Sequence, residues 1–263
     1  MSKRLLHILL PAATGALFIA IWYAIRFSIA DEMSFLLPTP GEILAALRDN
    51  GPSLAHSALN TAEGALLGLG LALVVSSALS LALAASSLIR VSLYPYLMAL
   101  QMTPLPVLAP ICVIWVGGGI KSVSLLTFVI CFFPLVVNST QGLVSADRNL
   151  VELFGMYRAS RWQELLLLRV PAALPYFFTG LRIAATLAPI GAVVADMNAG
   201  SDASGGAGLG FQAIIFSSQA KYPALFATAA VTCVLGFILS AAVLSLSWLA
   251  LHHWHDSYER TDP

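Results

Sequence analysis

Few side chains in this sequence could do chemistry within an apolar environment. Asp196 and Arg182 stand near the ends of a long apolar run. An ionisable residue inside a membrane is a functional candidate by default, because leaving it there is costly. Met102 and Thr103 stand at a proline-rich break, and Met197 follows Asp196. Met102, Thr103, Asp196 and Met197 are therefore the candidates for lining a solute path. A proton-driven carrier would need a buried carboxylate or histidine relay, and the scarcity of such groups points to energy supplied from elsewhere. No Ser–His or metal-spaced His/Asp set lies within the apolar runs, so hydrolysis inside the membrane has no candidate centre.

Other features resemble sites without meeting their chemistry. Cys112, Cys131 and Cys233 are the three cysteines, scattered through apolar runs. They have neither a disulfide pattern nor metal-ligand spacing and read as small packing residues. His252, His253 and His255 could bind a metal, but beside Trp248 and Trp254 they read as interfacial residues, so no metal is expected. Gly117-Gly118-Gly119-Ile120-Lys121-Ser122 hints at a phosphate loop, which requires Gly directly before Lys; Ile120 occupies that place. The chain is expected to have no nucleotide-binding loop of its own and not to be an enzyme. Gly205-Gly206-Ala207-Gly208-Leu209-Gly210 completes no dinucleotide fingerprint and reads as an outer loop leading into a short helix.

The elements that must position these residues are membrane helices. The chain has 263 residues, 59% hydrophobic and 10% charged, and a mean hydropathy of +0.86. Soluble domains carry about 25% charged residues. So much apolar surface requires lipid as its solvent. Zero net charge leaves no footprint for nucleic acid. Charge-poor runs of the length a span needs, about 20 residues, predict spans over about 5–26, 62–88, 91–116, 122–144, 177–197 and 223–251. The fold class is thus all-α and polytopic, a single transmembrane domain over 1–263. The runs are too long and continuous for barrel strands. The first span has two readings. Lys3 and Arg4 before it and Ser28-Ile29-Ala30 after it would also suit a cleaved leader, but the apolar run exceeds a usual leader core, which favours a retained span.

Orientation follows from Lys and Arg. A cytoplasmic N-terminus, and with six spans a cytoplasmic C-terminus, places nine of them inside and four outside, the latter being Arg26, Arg48, Lys121 and Lys221. On the outer side, Pro38-Thr39-Pro40-Gly41 reads as a turn before a short helix over Glu42–Leu47. Gly64, Gly68 and Gly70 supply small-xxx-small packing in the second span. Thr103-Pro104-Leu105-Pro106 and Pro110 break the third. This break is either a bent, path-lining element or a static kink.

The segment 145–176 is the exception to this apolar pattern. It holds Arg148, Arg158, Arg161 and Arg169. Asp147 can cap one short helix and Ser160 a second, with Gln163 or Glu164 as capping-box partner. Pro171 and Pro175 are expected to end the second helix and lead into the fifth span. Two short helices joined at a corner would lie across the cytoplasmic face.

This insert resembles the cytoplasmic loop of ABC importer permease subunits. The family pattern is Glu-Ala-Ala, three residues, Gly, nine residues, Ile, one residue, Leu-Pro. Glu152 stands at the acidic position, and Leu168-Arg169-Val170-Pro171 stands at the terminal one. Leu37-Pro38-Thr39-Pro40, Pro104-Leu105-Pro106 with Trp115, and Gly208-Leu209-Gly210 are similar to the branch that imports nitrate, sulfonates, taurine and thiamine-type pyrimidines. Leu153 and Phe154 replace the alanines, and Arg158 replaces the corner glycine. An arginine fits a corner with φ below zero and is strained in one with φ above zero.

The resemblance implies a type I ABC importer permease fold in a bacterial inner membrane. It implies two copies of an ATPase subunit that carry ATP and Mg, a second permease subunit in a homodimer or heterodimer, and a periplasmic or extracellular solute-binding protein. Glu152 would anchor the insert, and Arg158, Ala159, Ser160, Arg161 and Trp162 would meet the ATPase. The rival readings are an ion-coupled secondary carrier and a non-transporting docking subunit with a degenerate coupling loop.

Overall fold

The computed structural model describes residues 3–29, 31–200 and 207–251. The membrane-length helices are α1 (Lys3–Ser28), α3 (Gly51–Ala85), α6 (Ile120–Val144), α9 (Val170–Ala199) and α11 (Tyr222–Leu251). Shorter helices are α2 (Pro40–Asp49), α4 (Ser87–Gln101), α5 (Leu105–Val116), α7 (Arg148–Met156), α8 (Arg161–Glu164) and α10 (Leu209–Ser218). Every regular element among the described residues is helical, with no strand among them. Five helices are long and apolar enough to cross a membrane, and α4 with α5 makes a sixth if the bent pair is one span.

Helix α6 is the central post, packed between α3 and α9. Small residues let the backbones meet. A Cβ at Gly64 would collide with the Val123 side chain, and one at Gly68 with Thr127 and the Ser124 carbonyl. Gly70 has open space around it, so it lies off the packing stripe predicted to include it. On the other flank, Gly142 meets Ala173 and Tyr176, Gly180 meets Asn138, and Gly191 meets Ile130 and Thr127. Close approach maximises dispersion contact where lipid removes any hydrophobic drive between helices. Helix α11 covers α9. Helix α1 lies at the rim, its apolar length exposed for lipid. It is held where Trp22 Nε1 donates to the Pro38 carbonyl at 3.0 Å and the Trp22 ring meets Phe226 edge-on at 5.7 Å.

The two faces of the bundle can be traced from chain ends. α3 begins beside α2 and α10 and ends where the insert packs. At 35 residues it is about 52 Å long, more than the hydrocarbon core requires. The predicted break in the third span is a bend of 102° between α4 and α5. Pro104 and Pro106 lack the N–H groups that would continue α4. The pair still passes between the faces. α4 starts beside the insert, and α5 ends at Gly117–Gly119, where Gly119 N–H donates to the Ala199 carbonyl at 3.4 Å. Gly117 and Gly119 have φ of 84° and 76°, and a Cβ on Gly118 would strike the Ala199 oxygen. The glycine triplet is therefore a tight seam between the end of α5 and the end of α9.

The insert departs from its expected form in one respect. Helix runs unbroken from Arg161 to Ala199, because a π turn over Leu165–Arg169 joins α8 to α9. Pro171 and Pro175 do not end the second short helix. Pro171 sits in the first turn of α9, and a π turn frees the backbone groups that a proline would otherwise clash with. α2 likewise starts earlier than predicted, at Pro40, with a capping box between Thr39 and Glu42.

Candidate functional site

The insert is built from two capped helices and a left-handed corner. Asn149 N–H donates to Asp147 Oδ1 at 2.8 Å and starts α7, as the sequence predicts. Glu152 accepts from Arg148 Nε at 3.1 Å, one turn back on the same helix, and both side chains are well exposed. No residue of α7 is buried. Leu150, Leu153, Met156 and Tyr157 stand exposed, the last two at 81%. That is an apolar surface on a helix with no cover from its own chain.

At the corner, Arg158 N–H donates to the Gly155 carbonyl and Ala159 N–H to the Phe154 carbonyl, both at 3.0 Å. This bond pair is a Schellman motif, whose penultimate residue must be left-handed. Arg158 has φ of 54°. The corner thus takes the conformation glycine prefers and holds an arginine in it, at a cost of about 1 kcal/mol. Ser160 then caps α8. Its N–H donates to Gln163 Oε1 at 2.8 Å and its Oγ accepts from Gln163 N–H at 3.2 Å, which selects Gln163 over Glu164 as the box partner.

Glu164 has another partner, which sequence reading missed. Arg169 donates from Nε and Nη2 to Glu164 Oε1 at 2.7 and 2.6 Å, and from Nη1 to the Leu143 carbonyl at 3.2 Å. Both side chains are mostly buried. The spacing is i, i+5. An ordinary α-helix aligns i with i+4; the π turn brings i+5 into register. This pair ties the insert to the end of α6. Arg161 and Trp162 line a cavity of about 490 Å³ with Ala84 and Ala85 of α3 and Ser87 of α4.

The path candidates do not come together. Met102 is 81% exposed at the α4–α5 bend. Thr103 lines a cavity of about 200 Å³ with Gln101, Val129, Phe133 and Leu187. Asp196 is nine residues further along α9 than Leu187, about 13 Å away by helical rise. It is 5% exposed. Thr61 Oγ1 donates to its Oδ2 at 2.6 Å and accepts from Leu209 N–H at 2.9 Å. Gly208 abuts the carboxylate, and a Cβ there would overlap it. Thr61 accepts from the first N–H of α10 and donates to Asp196, tying α9, α3 and α10 into one joint. Met197, beside it, is exposed. Thr61 was missed because one threonine in an apolar run gives no signal. The glycines at 208 and 210 were the visible trace of this joint. Among the described residues no group of three or more His, Cys, Asp or Glu could hold a metal. His252, His253 and His255 lie outside the described residues.

Residues 64–257 match the model of the binding-protein-dependent transport system inner membrane component. The chain belongs to that family. It is a multi-pass membrane permease of the ABC importer type, and such permeases work with ATPase and binding-protein partners. Its sequence is 34% identical over 250 residues to the formylaminopyrimidine transport permease protein ThiX of Halalkalibacterium halodurans, covering 95% of this chain and 97% of that one. It is 25% identical to the taurine transport system permease protein TauC of Escherichia coli, over 95% of this permease and 90% of that protein. A solved structure of an amino acid ABC transporter with histidines shares the fold, with a TM-score of 0.60 at 15% identity over 80% of this chain and 97% of that one.

Proposed function

We propose that this permease forms the membrane path of an importer for a small solute, delivered by an external binding protein and driven by a separate ATPase. The observation that carries this is the unbroken helix from Arg161 to Ala199, fastened to α6 through Arg169. A push on α8 reaches the centre of the bundle without crossing a flexible joint, as a two-state rocking mechanism needs. Glu152, Arg158, Ala159, Ser160, Arg161 and Trp162 form the ATPase-facing surface, together with the exposed apolar face of α7. Two ATPase copies, carrying ATP and Mg, serve two permease subunits, as a homodimer or heterodimer. The insert face and both termini are cytoplasmic, in a bacterial inner membrane.

Thr103 and Met102 face the path. Asp196 supports it through the α10 joint rather than lining it. The substrate is a vitamin-precursor pyrimidine, with the sulfonate, taurine and nitrate class as second reading. The extent of similarity to the formylaminopyrimidine permease supports the first. So does the cavity beside Thr103, which has Gln101 and, among the described residues, no Lys or Arg in its lining. An amide suits a neutral heterocycle; an oxyanion would favour a guanidinium. A mild-detergent pull-down from native membranes tests the reading. An ATPase subunit at about one per copy of this chain is expected; a chain that emerges alone, with all its genomic neighbours expressed, overturns it.

A further inference from the structure

Three ties join the first turns of α3 to the chain that leads into α10. Gln212 Nε2 donates to Ser53 Oγ at 3.4 Å, Leu209 N–H to Thr61 Oγ1 at 2.9 Å, and Asn60 Nδ2 to the Ala207 carbonyl at 3.3 Å. The third differs from the other two. The same Asn60 nitrogen also lies 3.3 Å from Nδ1 of His56, one turn back on α3. A backbone carbonyl only accepts, so the Asn60 atom that faces Ala207 is the amide nitrogen, which offers two hydrogens and nothing else. One hydrogen goes to Ala207 and the other to His56, so Nδ1 of His56 is an unprotonated acceptor. This tie therefore holds with a neutral imidazole that carries its proton on Nε2.

We infer that His56, Asn60 and Ala207 form a proton-operated clasp on the lead into α10, a regulatory device that goes beyond the proposed transport function. A proton from the medium binds the Nδ1 lone pair and turns that atom into a donor. Two donors then face each other. Turning the Asn60 amide over presents its oxygen to the imidazolium, and that charge-assisted bond is about twice as strong as the neutral amide–carbonyl bond it replaces. The turned amide sets oxygen against the Ala207 carbonyl, so the clasp opens while the ties at Thr61 and Ser53 remain. Imidazole is the side chain that ordinarily changes charge between about pH 5 and 8, and His56 is exposed to exchange protons directly. The charged groups on the elements around this part of α3 are Arg48 and Asp49 at the end of α2, Lys121 on α6, Asp196 on α9, Lys221 before α11 and Glu63 two turns on along α3; α10 has none. Among the described residues none of these pairs with His56, whose side-chain bond is to Asn60. The Asn60 amide is therefore what reads the proton.

The test uses the full chain in mild detergent, without ATPase or substrate, so its failure is separate from failure of the transport reading. Ala207→Cys, in a Cys233→Ser background because Cys233 is exposed, carries a nitroxide and keeps the accepting carbonyl in place. Electron paramagnetic resonance reads the mobility of the label at about pH 8 and about pH 5. The mobile fraction is expected to rise about fivefold on acidification, the worth of one hydrogen bond. Asn60→Ala removes the donor and makes the label mobile at both pH values. His56→Asn stands an amide oxygen, an acceptor at either pH, in the place of Nδ1 and keeps the label immobile at both. A parent chain whose spectrum ignores pH overturns the inference, as does a pH response that persists in His56→Asn, or a label that stays immobile in Asn60→Ala. A second reading needs no spin label. Nitrogen-15 resonances of labelled histidine, with His56 assigned by its loss in His56→Asn, should show the Nε2–H tautomer at about pH 8; the Nδ1–H tautomer there overturns the clasp.

Discussion

Arg158 is held in a left-handed conformation by two backbone hydrogen bonds that its own side chain does nothing to favour. Arg158→Gly should stabilise the chain by about 1 kcal/mol or less, because glycine takes φ above zero without a Cβ clash but loses more freedom on folding. Thermal unfolding in detergent would show this as a raised midpoint, and a lowered one would mean that the side chain has contacts of its own. Thr61 is the other residue whose role is local and specific. It both donates and accepts at the α10 joint. Thr61→Val keeps the shape and removes both bonds, leaving a buried carboxylate and N–H underserved, at a cost of about 1–3 kcal/mol. Faster hydrogen exchange at Leu209 and Gly210 than elsewhere in α10 is the expected local signature.

Among the elements, α6 carries the packing, and the proposed coupling rests on the insert. Gly68→Leu would force α3 off α6 and cost about 1–3 kcal/mol by overpacking, whereas Gly70→Leu, in open space, should be tolerated. Unfolding midpoints of the two variants compare these outcomes directly. The Glu164–Arg169 pair locks the π turn. Glu164→Gln should leave ATPase binding intact and weaken transport per ATP hydrolysed, since the lever softens without losing its docking surface. Reconstituted vesicles with both readouts would separate this from simple loss of assembly. Arg161→Glu should instead lower transport-coupled ATPase activity while leaving the bundle folded, because Arg161 belongs to the proposed docking surface and not to the Glu164–Arg169 pair.

The molecule as a whole is a central helix flanked by close-packed neighbours, with two ends that differ in kind. One end is a joint of α3, α9 and α10 around a single buried carboxylate. The other is an exposed, capped insert continuous with α9. Under the proposed coupling, movement imposed at the insert passes along the unbroken α9 to a joint that also holds α10, so the two ends should respond together. Spin labels at Ala159 and Ser218, both away from the core contacts described, would report correlated changes on ATP binding by the partner; independent changes would argue that α9 bends between them.

Much of this was legible without coordinates. The composition required lipid, the lengths of the apolar runs required helices, and the residues around Glu152 and Pro171 carried the family pattern, because these properties reside in local chemistry and spacing. The capping residues Asp147 and Ser160 were readable for the same reason, whereas Thr39 was read as part of a turn. Tertiary structure decided what depends on register between distant segments. It showed that Gly64 and Gly68, but not Gly70, face α6, and that Asp196 meets Thr61 rather than Met102. It also showed that Glu164 pairs with Arg169 across a π turn, since only there does a five-residue spacing align, and that two prolines read as a stop lie within a continuing helix.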